Sequence, residues 1–125
     1  MKRYVAESWV LLLIFEFLMH FQSFRTIDKF TRNQKTRTIG RNDRPSSELL
    51  CRAMDCACVL YFKHVLCLQR SGATTLLLRR YGWKAEMVLG ARMLFFQRHA
   101  WVEIEGSVVN DKPYMRDLYR VYEQR

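Results

Sequence analysis

This chain is short of the residues that staple, break or thread a polypeptide. Its 125 residues include four cysteines, two prolines and five glycines. The cysteines, Cys51, Cys56, Cys58 and Cys67, are bunched in one stretch and do not form the framework of a small disulfide-stapled domain. No removable secretory signal with a small-residue cleavage site precedes them, so free thiols in a reducing cytoplasm are expected. A long uninterrupted apolar run is also missing. The richest segment, "WVLLLIFEFLMHF", is broken by Glu16 and preceded by Glu7, and it falls short of the ~20 apolar residues that cross a bilayer. A helix that is buried or docked on a partner is expected there, and membrane attachment is not. There is no internal repeat.

Half of the residues are apolar, enough for one compact domain that needs neither metal nor disulfide. The net charge of +9 is concentrated between Arg25 and Arg44, where seven Lys or Arg residues stand against Asp28 and Asp43. That run suits either a solvated basic loop or a docking face for an acidic partner. No recognition helix or aromatic stacking platform accompanies it, so nucleic acid is not expected as a partner.

Apolar density predicts a helix over residues 5–24, followed by a basic connector to about residue 46. Ser46 or Ser47 is placed to cap the next helix, with Glu48 in its first turn and Leu50, Met54, Ala57, Cys58 and Tyr61 as its buried stripe. A further helix restarts near Cys67 and runs to Tyr81, with Leu68, Gly72, Thr75 and Leu76 facing inward. Arg79 and Arg80 complement its C-terminal dipole and Gly82 stops it. Ala85 to Arg92 reads as a strand, Met93 to Arg98 as a connection, and two more strands flank Gly106. Tyr114 to Tyr122 reads as a short helix. The organisation expected is residues 1–46 as an N-terminal helix and connector, a candidate docking region, and residues 47–125 as the chemical core of a single compact α+β domain.

Three residues of that core stand in contexts that suit thiol chemistry. Cys67 opens a helix, where unpaired N–H groups and the positive end of the dipole favour a thiolate. His99 opens the strand "HAWVEIEG" and Asp111 closes the strand "SVVND". Nucleophile, base and orienter in that order suit an acyl-transfer site. The hairpin register makes this a conditional expectation. A three-residue loop at 104–106 pairs Glu103 with Ser107 and sets His99 across from Asp111, whereas a two-residue loop at Glu105 and Gly106 pairs His99 with Lys112 and turns Asp111 away. The chemistry therefore predicts the longer loop. It also puts Trp101 on the face of His99 and Val102 on the other face, against the core. The backbone N–H of Cys67 is the natural oxyanion donor.

"CLQRSGATTLLLRRYGWKAEMVLGAR" followed by "HAWVEIEGSVVND" resembles the transglutaminase-like leader peptidases of lasso peptide biosynthesis, over about residues 64–115. The resemblance implies a papain/transglutaminase-like core, a Cys-bearing helix packed on a small antiparallel sheet with N-terminal helices before it. It carries the triad onto Cys67, His99 and Asp111 with no cofactor. It further implies removal of the leader from a ribosomally made precursor peptide, upstream of a macrolactam-forming lasso cyclase. The leader would be held by a separate leader-recognition protein, for which residues 1–44 are the candidate docking surface. Family sequences often carry a longer aliphatic residue where Gly72 stands, so the glycine either loosens the nucleophile's helix or lets a substrate backbone approach.

Three other readings compete. Cys51, Cys56, Cys58, His64 and Cys67 form a cysteine-rich stretch, but not with the spacing of paired metal knuckles, and Cys56 and Cys58 point apart on a helix, so no metal is expected. A non-catalytic module that binds an acidic peptide through the basic face shares the fold. A transglutaminase proper shares the triad but passes the acyl group to an amine. Trp83, Trp101, Phe95 and Phe96 are candidates to line a peptide groove, although aromatic residues are more often core.

Overall fold

The computed structural model describes residues 2–21, 36, 45–63, 65–92, 97–111 and 115–124. Helix α1 spans Lys2–Phe21, α2 Ser47–Leu60 and α3 Cys67–Arg80; then come β1 Ala85–Arg92, β2 Gln97–Ile104, β3 Ser107–Val108, the single turn α4 Met115–Leu118, and β4 Arg120–Gln124. The strands form one antiparallel sheet in the order β3-β2-β1-β4. The basic stretch Arg25–Arg44, apart from Thr36, lies outside the described residues, as do His64, Phe95 and Phe96.

Helix α2 begins where its sequence says it should. Ser46 is the N-cap, and its Oγ accepts from the Leu49 N–H at 3.1 Å. The stripe Leu50, Met54, Ala57 and Tyr61 is buried, with Cys51 beside it. Helix α3 ends as sharply. Gly82 takes a left-handed φ of 88°, its N–H bonds Arg79 O at 3.2 Å, and the Trp83 N–H reaches back to Leu78 O at 2.9 Å. That pair of bonds closes the last turn in a Schellman motif, which a residue with a Cβ would strain.

The expected one-sided stripe of α3 is wider in the structure, since Ser71 through Arg79 are all buried. The reason is position: α3 lies between α1 and α2 on one side and strands β1 and β2 on the other. The main core joins Leu11, Leu12 and Phe15 of α1 to the α2 stripe, to Ala73 and Leu76–Leu78 of α3, and to Ala85 and Val102 of the sheet. Helix α1 is thus built into the same core as the Cys-bearing helix. No helix among the described residues is long and apolar enough to cross a membrane.

Gly72 sits at a close approach between α1 and α3. A Cβ there would lie 2.4 and 2.7 Å from Cε1 and Cζ of Phe15. The glycine therefore admits the Phe15 ring of α1 against α3, which was neither of the roles its sequence context suggested.

A smaller cluster, Val88, Trp101 and Met115 with Tyr119 and Val121 against it, covers the other face of the sheet. The C-terminal segment corrects the expectation of a single short helix. Of its described residues only Met115–Leu118 are helical, and Arg120–Gln124 adds a strand to the free edge of β1. Four residues bury too little apolar surface to hold a helix alone, and the β1 edge offers unpaired N–H and C=O groups to an adjoining strand.

Candidate active site

Cys67 is the first residue of α3, and its side chain is exposed. The N-cap, Leu66, makes no side-chain capping bond, so the first-turn N–H groups of α3 are not covered from that side. The His99 imidazole hydrogen-bonds the Cys67 sulfur and lowers the thiol pKa; burial opposes it, and the backbone N–H groups of Ala100 and Leu68 add to the lowering. His99 shifts the other way. Its hydrogen bond to Cys67 raises its pKa above the ordinary imidazole value, burial opposes this, and Asp111 raises it further. Both shifts favour a thiolate beside an imidazolium.

His99 Nε2 lies 2.7 Å from Asp111 Oδ2. A carboxylate accepts, so Nε2 carries the hydrogen and Nδ1 is the ring nitrogen left for sulfur. The imidazole stacks on Tyr119, with centroids 5.3 Å apart and planes at 26°, and on Trp101 at 6.2 Å and 28°. Trp101 is fully buried, so it backs the imidazole and does not line a groove. Across the β1–β2 ladder from His99 stands Gly90, where a Cβ would come 2.6 Å from the Trp101 ring and 2.7 Å from Tyr119 Cβ.

Cys67, His99 and Asp111 come together, but not through the expected hairpin. The turn is the two-residue one: Ile104 pairs with Ser107 and Glu103 with Val108. Glu105 and Gly106 both have positive φ, 51° and 82°, a primed turn whose twist matches that of the strands. By the sequence argument Asp111 should then face away. It reaches His99 because the ladder ends at Val108 and residues 109–111 bend out of the strand. The prediction of the longer loop was wrong, although the contact it was meant to explain is present.

Sequence reasoning missed the residues that hold these segments. Ser71, one helical turn past Cys67 and buried, donates from Oγ to Ala100 O at 2.9 Å. Asn110 accepts the Val102 N–H on Oδ1 at 2.7 Å and donates from Nδ2 toward Ser71 Oγ at 3.4 Å. Glu103 is only 1% exposed, yet ionised. Burial would raise its pKa, but two hydrogen bonds from Arg116, each 2.8 Å, and one from Trp101 Nε1, also 2.8 Å, hold it below the ordinary value. An acid at i+2 from a buried tryptophan on one strand face was the available signal, since such a carboxylate needs a cation. Asn110 and Ser71 carried no such signal.

Cys51 and Cys58 differ from Cys67. Burial pushes Cys51 up to about 11 and also raises Cys58. Among the described residues no three His, Cys, Asp or Glu side chains are grouped to hold a metal ion.

A Cys-bearing helix start packed on an antiparallel sheet, with the histidine on one strand and the aspartate just past the end of the next, defines the class as an α+β fold with a papain/transglutaminase-like core. More narrowly, the family model of the transglutaminase-like superfamily matches residues 9–124, and the chain belongs to that superfamily. It is 43% identical over 55 residues to the microcin J25-processing protein McjB of Escherichia coli. That stretch is 44% of this chain and 26% of McjB, so the chain spans about a quarter of the length of that relative. No solved structure matches it.

Proposed function

We propose that this protein is a cysteine peptidase that removes the leader from a lasso peptide precursor, with Cys67, His99 and Asp111 as its triad. The observation that carries the reading is the connected path from the exposed Cys67 sulfur at a helix start, through the His99 imidazole, to Asp111 at 2.7 Å. The 43% identity to a microcin-processing protein supports the substrate class.

The thiolate of Cys67 attacks the carbonyl carbon of the scissile bond, and the new oxyanion faces the backbone N–H of Cys67. As the C–N bond breaks, the imidazolium of His99 gives its proton to the leaving amine, which frees the N-terminus of the core peptide. Water then attacks the thioester, His99 takes a proton from it, and the C–S bond breaks to release the leader carboxylate. Asp111 holds the ring so that Nδ1 faces sulfur throughout. The freed amine is the group a lasso cyclase would join to a side-chain carboxyl. The leader is held by a separate leader-recognition protein. Its docking surface is the N-terminal region, including the outward residues Val10, Leu13, Ile14 and Phe17 of α1, all exposed. Because α1 also supplies core residues, charged substitutions at Leu13 and Phe17 test this better than truncation does.

The experiment is incubation of the protein and Cys67→Ala with a precursor peptide and the recognition protein, read by mass spectrometry. Leader release plus free core amine from the wild type alone is the expected result. Cleavage by Cys67→Ala, or transfer of the leader acyl group to an added amine in place of water, would refute the reading.

A further inference from the structure

The bent segment that delivers Asp111 is a constructed feature of this hairpin. In the observed register Val102 faces Val109, and the Val109 N–H does donate to Val102 O at 3.0 Å. In a continuing antiparallel rung the Val102 N–H would return to the carbonyl of Val109. It goes to Asn110 Oδ1 at 2.7 Å. The side chain of Asn110 thus takes the place of a main-chain acceptor and satisfies the donor of a fully buried residue, so the backbone can leave the sheet without an orphaned N–H. The other end of the same amide is tied to Ser71 Oγ, which in turn holds Ala100 O. Each tie point lies beside a member of the triad: Asn110 precedes Asp111, Ala100 follows His99, and Ser71 is one turn from Cys67.

We infer that Asn110 is a positioning residue for the His99–Asp111 pair, ending the β2–β3 ladder at Val108 so that the Asp111 carboxylate meets His99 Nε2. The inference rests on the peptidase reading of this site and acts on it through Asp111 alone. Without the Asn110 acceptor, the Val102 N–H draws the main chain back toward a regular rung. Continued in that register, Lys112 would stand across from His99 and Asp111 would turn to the opposite face.

The test is the pH profile of iodoacetamide alkylation at Cys67 in the full-length chain, resolved by peptide mass spectrometry, which needs neither substrate nor partner. Asn110→Ala is expected to raise the midpoint about one unit, with alkylation near neutral pH falling on the order of tenfold, and Asp111→Asn is expected to do the same. In the Asp111→Asn background Asn110→Ala should add nothing. Asn110→Asp retains an acceptor for Val102, so in that background Asp111→Asn should still shift the midpoint as it does in the wild type. A wild-type profile for Asn110→Ala, or effects of Asn110→Ala and Asp111→Asn that multiply, would overturn the inference while leaving an activated Cys67 in place. An ordinary thiol profile in the wild type would overturn the site reading, and this inference with it.

Discussion

Gly72→Ala is the sharpest probe of how α1 and α3 are joined. A helix-interior glycine replaced by alanine normally gains about 1 kcal/mol of helix propensity. Here the new methyl would stand 2.4 Å from Phe15 Cε1, far inside a van der Waals contact, and Phe15 is wholly buried. Overpacking of this kind costs about 1–3 kcal/mol. The balance is a net loss of up to about 2 kcal/mol, or a Tm lower by several degrees in a domain of this size. Phe15→Leu alone leaves a cavity and costs roughly 1–2 kcal/mol. Combined, the two changes should be less harmful than their sum by about 1 kcal/mol or more, because the leucine vacates the space the methyl needs. Urea unfolding of the four proteins gives the coupling directly. A more stable Gly72→Ala protein, with effects that add to those of Phe15→Leu, would refute the packing argument.

Cys67 should alkylate with a midpoint below the ordinary thiol value of 9.0, while Cys51, pushed up to about 11, stays unreactive at neutral pH. The thiolate–imidazolium pair exists between the lowered Cys67 pKa and the raised His99 pKa, so peptidase activity should rise with pH through the first and fall through the second; His99→Ala should return the Cys67 midpoint upward. Glu105→Asn should stabilise the hairpin by about 0.5–1 kcal/mol in thermal denaturation, since asparagine tolerates the left-handed φ that glutamate now occupies. Arg116→Ala should cost about 2–3 kcal/mol by leaving the Glu103 carboxylate buried with little compensation. The folded-state pKa of Glu103 lies below its ordinary 4.5, so its contribution is present above that value and lost as pH falls through the depressed one. Glu103→Gln should therefore flatten the acid limb of stability, and an unchanged limb would show that other groups set it.

Much of the site was legible because the signals are local. A serine before an acidic first turn, two arginines before a glycine, and a run of alternating residues each act within one turn or one strand. They correctly located the ends of α2, α3 and β1, and they set Cys67 at a helix start. What failed depended on contacts between segments distant in the chain. Glu105 gave no hint that it would accept a left-handed φ, and the twist of the paired strands decided it. The C-terminal strand had no signal of its own either, since it exists only beside the open edge of β1.

The sequence by itself determined the kinds of element up to the hairpin, the order of thiol, imidazole and carboxylate along them, and a core large enough to fold. Tertiary structure alone decided the turn, the departure of residues 109–111 from the ladder, the burial of α3 on both sides and the reason for Gly72. The difference is physical. Propensity and capping are summed over neighbours in the chain, whereas register, close approach and the pairing of a buried carboxylate depend on groups that meet only once the helices lie on the sheet.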